Sequence, residues 1–142
     1  MTSLDDQLVG LLRDQRIGRL ATIRRNGRPQ LSNVIYAWDD TAQTIRVSVT
    51  DGRAKTHNLR RDPRASFHVE AKGGWSYAVA EGTAELSPVA ADPADATVDQ
   101  LVEIYRSISG EHPDWDDFRA AMVRDRRLAL QLPVDRVYGL VR

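Results

Sequence analysis

The chain has 142 residues with 20 basic and 20 acidic side chains, so its formal net charge is zero and its pI is about 6.8. That balance removes a general electrostatic pull toward nucleic acid or anionic lipid, and any anion site must therefore be local. The absence of cysteine excludes disulfides, thiol nucleophiles and thiolate metal sites. With no apolar run near the ~20 residues of a membrane span and no apolar block behind a basic start, the expectation is a cytoplasmic protein of one domain, residues 1–142.

Thr2 or Ser3 is placed to cap a first helix, with Asp5 and Asp6 in its opening turn and Leu4, Leu8, Leu11 and Leu12 on one face. Ile17 to Ile23 reads as a strand. Arg24-Arg25-Asn26-Gly27-Arg28 carries the Asn-Gly pair of a tight hairpin, whose two central residues want positive φ, and Pro29 to Trp38 reads as the return strand. In that strand Gln30, Ser32 and Asn33 alternate with apolar neighbours, as either a solvent face or the lining of a polar pocket.

Asp39-Asp40-Thr41 predicts a turn and Thr44 to Thr50 a third strand. The following stretch, Ser48 to Ser66, is the most unusual in the chain. Thr50-Asp51-Gly52 reads as turn and cap, and Arg53 to Arg61 as a short helix that Asp62-Pro63 ends. Five basic residues, Arg53, Lys55, Arg60, Arg61 and Arg64, lie within it. Arg53 and Lys55 fall in the first turn, where free N–H groups and the helix dipole favour an anion. A solvated charged face, a small anionic ligand and a nucleic-acid contact all fit this pattern on its own.

Ala65 to Ala71 reads as a strand leaving through a flexible Lys72-Gly73-Gly74, and Trp75 to Leu86 as a long fifth strand with a bulge or close approach at Gly82. Ser87 to Pro93 is loop. Ala94 to Ser109 is helical with Val98, Leu101, Val102, Tyr105 and Ile108 on one face, stopped by Gly110; Asp114 to Arg124 is a second helix aligning Trp115, Phe118 and Met122. Arg127 to Leu132 and Arg136 to Val141 read as two short strands broken by Pro133. The order predicts a mainly β (α+β) fold, an antiparallel barrel with peripheral helices.

His57, His68 and His112 lack metal-ligand spacing, and there is no G-x-S-x-G elbow, P-loop or G-x-G-x-x-G. The combination that is present, LAT, NGRP, RAKT and NLRRDPRAS, with VYGL near the end, closely resembles the split β-barrel flavin and deazaflavin oxidoreductases of the pyridoxamine 5′-phosphate oxidase superfamily. Within that superfamily the likeness is to the actinobacterial branch that uses coenzyme F-420, an 8-hydroxy-5-deazaflavin with a phosphate and an oligoglutamate tail. The resemblance implies the antiparallel split β-barrel FMN-binding fold and a homodimer with cofactor at the subunit interface. It also implies hydride transfer between the deazaflavin and a small unsaturated or quinone-like molecule. Carried over by position, Arg53, Lys55 and Thr56 would meet the phosphate side of the cofactor, with Ala54 and Asn58 beside them. Ser48, Val49, Gln30, Ser32, Asn33 and Val34 would line the ring system, and Trp75, Ser76 and Tyr77 would reach it across the interface. No catalytic side chain and no metal is implied, since the cofactor carries the chemistry. An FMN enzyme of the pyridoxamine 5′-phosphate oxidase type and a non-catalytic cofactor carrier are the alternatives.

Overall fold

The computed structural model describes residues 3–142 and contains one curled sheet of eight antiparallel strands with four helices. The strands are β1 (Ile17–Ile23), β2 (Pro29–Ile35), β3 (Ala37–Asp39), β4 (Thr44–Thr50), β5 (Arg64–Ala71), β6 (Ser76–Thr83), β7 (Glu85–Leu86) and β8 (Arg127–Leu140). The helices are α1 (Asp6–Asp14), α2 (Ala54–Arg61), α3 (Ala96–Ser109) and α4 (Trp115–Arg124). Hydrogen-bonded neighbours run β2-β1-β5-β6-β8-β4-β3, and β7 also pairs with β8.

The alternation of β1 and β4 sets the barrel interior. Leu20, Ile45, Val47 and Val49 meet Phe67, Val69, Leu128, Leu130 and Leu132, with α1 adding Leu8 and Leu12. Full burial of such side chains stabilises by roughly 1.5 to 3 kcal/mol each. A second cluster forms where α3 and α4 lie on the other face of β8, joining Val98, Leu101, Val102, Ile104 and Phe118 to Ala129. The two helices thus form a roof over the β4–β8 ladder.

Several expected boundaries move. The cap of α1 is Asp5, whose carboxylate accepts from the N–H groups of Gln7 and Leu8, so Ser3 caps nothing and Thr2 lies outside the described residues. In the first hairpin only Gly27 has positive φ; the Gly27 N–H closes on the Arg24 carbonyl, a tight turn followed by one left-handed glycine instead of two central residues of that kind. The return strand stops at Tyr36 because its ring enters the core edge-on to Phe67 and its hydroxyl donates to the Leu12 carbonyl at 2.6 Å. Beyond that point β3 pairs with β4.

Arg53, not Asp51, occupies the cap position of α2, and no side chain caps it. Lys72 to Gly74 forms a single 3-10 turn with left-handed residues. The fifth strand is interrupted at Ala84, whose N–H goes to the Pro63 carbonyl, and Gly82 marks the register shift between β6 and β8. The two closing strands are one. Pro133 ends the β4 ladder opposite Thr44, Val134 takes up pairing with β6, and the strand bends from one half of the sheet to the other without breaking. A proline lacks the N–H of a ladder residue, which is tolerated at this handover. Finally α3 and α4 begin at Ala96 and Trp115, after the capping carboxylates of Asp95 and Asp114.

Candidate functional site

Between the roof helices and the open edge of the barrel lies a cleft of ≈ 680 Å³. Its floor is β4 from Val47 to Thr50, with Asn33 to Ile35 of β2 at one rim. The roof contributes Leu101, Ile104, Tyr105 and Ile108 from α3 and Phe118 and Met122 from α4. Arg53, Lys55 and Arg127 close the remaining end. The cleft is therefore apolar on its roof side, carries Asn33, Ser48 and Thr50 along its rim and floor, and is cationic at one end.

Among the described residues no carboxylate lines this cleft, and none lies in an ion pair with Arg53, Lys55 or Arg127. Lys55 is held below the usual lysine value, first by burial and then by the charges of Arg53 and Arg127. The opening turn of α2 adds donors. Thr56 and His57 send their N–H groups to the Arg53 carbonyl, whereas Ala54 and Lys55 carry N–H groups that an α-helix leaves without an intrahelical acceptor. An oxyanion at this end would meet backbone donors, the helix dipole and cationic side chains together.

The other basic residues of the stretch are already engaged, which corrects the idea that the whole run offers free charge. Arg60 pairs with Asp51 at 2.6 Å, Arg61 donates to the Ile23 carbonyl at 2.8 Å, and Arg64 pairs with Asp62 at 2.7 Å. Only Arg53 and Lys55 of the five face the cleft.

The remaining expected residues divide. Asn33, Val34, Ser48 and Val49 line the cleft. Gln30 and Ser32 share the inward face of β2 with Val34, whereas Asn33 lies on the opposite pleat. Gln30 donates to Ser32 at 3.0 Å and accepts from the Thr22 hydroxyl at 3.1 Å. That hydroxyl accepts from Asn58 at 3.1 Å, so Asn58 fastens α2 to β1. Thr56 is fully buried and donates to the Thr50 carbonyl at 2.7 Å, while Ala54 is exposed beside it. Trp75, Ser76 and Tyr77 lie outside the cleft. Trp75 is 70% exposed, Ser76 accepts from the Arg142 N–H, and Tyr77 stacks on His68.

Sequence reading missed Arg127 and the roof. Arg127 stands directly across the ladder from Thr50, far along the chain from α2, and the roof residues carry the ordinary stripe of a core-facing helix. A second cleft of ≈ 670 Å³ on the far side of α3 is lined by Asp39, Asp40, Asp99 and Glu103. Each of these carboxylates pairs with an arginine, so that cleft carries no comparable free charge.

The family model described as pyridoxamine 5′-phosphate oxidase matches residues 4–140. This chain belongs to that family. Solved structures share its fold at low identity. A conserved hypothetical protein from Mycobacterium tuberculosis is 23% identical with a TM-score of 0.73, the match covering 98% of this chain and 85% of that one. An F-420 reductase is 22% identical with a TM-score of 0.71, covering 95% and 98%. A heme-binding protein from Mycobacterium smegmatis is 19% identical with a TM-score of 0.72, covering 99% of this chain and 55% of that one. Among the described residues of this family member, no three His, Cys, Asp or Glu side chains gather as a metal site, and no helix is long and apolar enough to cross a membrane.

Proposed function

We propose that the protein is an F-420-dependent reductase that delivers a hydride to a small unsaturated or quinone-like molecule. The observation that carries the reading is the cleft, roofed by apolar side chains and ending in three cations that no carboxylate of its lining neutralises. Such a slot suits a flat aromatic body joined to an anionic tail. Arg53, Lys55 and the first N–H groups of α2 would hold the phosphate, and Ser48, Tyr105, Ile108 and Met122 would enclose the ring.

The deazaflavin, once reduced, supplies the hydride. The chain's part is placement and exclusion of water, which needs no dedicated acid or base in the slot. The roof side chains of α3 and α4 would cover the reacting face, and the bonded Thr22, Gln30 and Asn58 would keep α2 fastened to β1 and β2.

The reading includes a homodimer. On the outer face of the sheet, Leu31 and Ile35 of β2, Tyr138 and Leu140 of β8, and Trp75 beside β6 are large apolar side chains left 42% to 70% exposed. A patch of this kind marks an association surface.

Titrating the protein separately with F-420 and FMN, followed through tryptophan quenching, tests the reading. Tight F-420 binding followed by oxidation of the reduced cofactor on adding an enone or quinone supports it. Binding of FMN alone would move the function to the flavin branch, tight F-420 binding without turnover would favour a carrier, and binding of neither would sink it.

A further inference from the structure

We propose that Arg127 is a ligand-binding residue, whose guanidinium donates to an oxyanion lodged at the cationic end of the cleft. The first observation is an orphaned donor. Among the described residues the buried Nε–H of Arg127 has no partner, and the one acceptor of the side chain is the Ser48 carbonyl, 3.4 Å from one terminal nitrogen. Leaving a buried charged donor unsatisfied is costly, and ten other arginines of the chain have close carboxylate partners.

The second observation is placement. Arg127 faces Thr50 across the β4–β8 ladder, so it stands on the wall opposite α2 with Arg53 and Lys55 on the other side. The neighbouring residue fixes that wall. Asp51 receives Arg126 through its carboxylate and gives its own N–H to the Arg126 carbonyl. The turn before α2 and the turn before β8 are thus clamped together, and Arg127 is held at the same end of the cleft as Lys55, near enough for its charge to act on it. Guanidinium presents its Nε and a terminal N–H as a planar fork, the geometry that grips two oxygens of one phosphate or carboxylate.

The inference deepens the functional reading and rests on it only for the identity of the ligand. The oxyanion can come from the cofactor's phosphate or from an acidic group on the substrate. The probes are inorganic phosphate, riboflavin and FMN, with wild type, Arg127→Met and Arg127→Lys. Arg127→Met should abolish the rise in melting temperature that phosphate gives the wild type, and Arg127→Lys should retain only part of it. Without any anion, Arg127→Met should melt no lower than wild type, because a buried N–H without a partner has been removed; a merely structural arginine would instead lower it.

The two sources then separate. If Arg127 holds the cofactor's phosphate, Arg127→Met lowers the affinity for FMN by about tenfold or more while leaving riboflavin unchanged. If it holds the substrate's anion, FMN affinity is unchanged and inorganic phosphate still raises the melting temperature of the cofactor-saturated wild type. A phosphate response equal in wild type and Arg127→Met overturns the proposal. A phosphate response that depends on Arg127 in a protein that binds neither F-420 nor FMN would leave it standing and remove the functional reading alone.

Discussion

Asp51 is bound by Arg126 three times: its N–H donates to the Arg126 carbonyl at 3.0 Å, and its carboxylate accepts two guanidinium N–H bonds at 2.9 and 3.2 Å. Arg60 adds an ion pair from inside α2 at 2.6 Å. The carboxylate therefore serves two arginines and is held below the usual aspartate range, chiefly by its hydrogen bonds to them. Without this clamp, the cations of α2 and the start of β8 would not be held against one cleft. Asp51→Asn should lower the melting temperature by a few degrees and weaken cofactor binding, measured by a thermal scan and a quenching titration. Unchanged binding would show that the clamp does not position the site.

Lys55→Ala tests the anion site directly. A charge-assisted bond to phosphate is worth roughly 1.5 to 3 kcal/mol, so the substitution should weaken F-420 binding about tenfold to a hundredfold. An ordinary surface lysine would cost well under ~1 kcal/mol. A titration at fixed ionic strength, with a melting curve as control, decides between them.

The same lysine gives a pH dependence with a definite sign. Its value in the fold lies below the usual 10.5 because of burial, Arg53 and Arg127, so its charged form destabilises the ligand-free fold relative to the unfolded chain. The unfolded chain holds this proton more tightly, and Lys55's contribution to stability rises with pH between the depressed value and 10.5. Lys55→Met should therefore be more stable than wild type near neutrality, with the gap shrinking as pH climbs toward 10.5. Denaturant melts of both proteins across the alkaline range measure it, and a gap that widens with pH would contradict the assignment.

How much of this was legible in the sequence depended on whether the cause was local. β1 and β4 have the bounds their alternating residues suggested, because a half-buried strand writes its burial into a period of two. The cationic helix start was visible for the same reason, since glycine, helix start and basic residues are adjacent. Which arginines stayed free was not visible. Arg60 and Arg61 look like Arg53 in the sequence, and only the fold brings Asp51 and the Ile23 carbonyl to them. β8 was misread because Pro133 breaks a strand by local rules, whereas here it falls where pairing passes from β4 to β6.

Gly82 tests that handover. A Cβ placed there would lie 2.1 Å from the Pro133 carbonyl oxygen, a backbone atom with little room to yield. Gly82→Ala should destabilise by about 1 to 3 kcal/mol, as overpacking does. Chemical denaturation with unchanged m-value would report it, and a variant as stable as wild type would mean that β8 shifts freely at its bend.

The outer face of the sheet supplies the last test. Leu31 is 66% exposed and Ile35 57%, on the strand whose inner residues anchor the Thr22–Gln30 bonds. Directly across β1 lie Ala21 and Ile17, and the patch continues over Val79 to Tyr138. If a second copy covers this patch, Leu31→Glu places a charge in a dry contact and should convert dimer to monomer in sedimentation velocity. Its monomeric melting temperature need not fall far, since Leu31 makes little of the barrel core. F-420 binding distinguishes the two consequences: a monomer that binds weakly means the partner completes the cofactor groove, and a monomer that binds at full strength means the cleft beneath α3 and α4 is sufficient. A Leu31→Glu protein that sediments like wild type would remove this face as the interface.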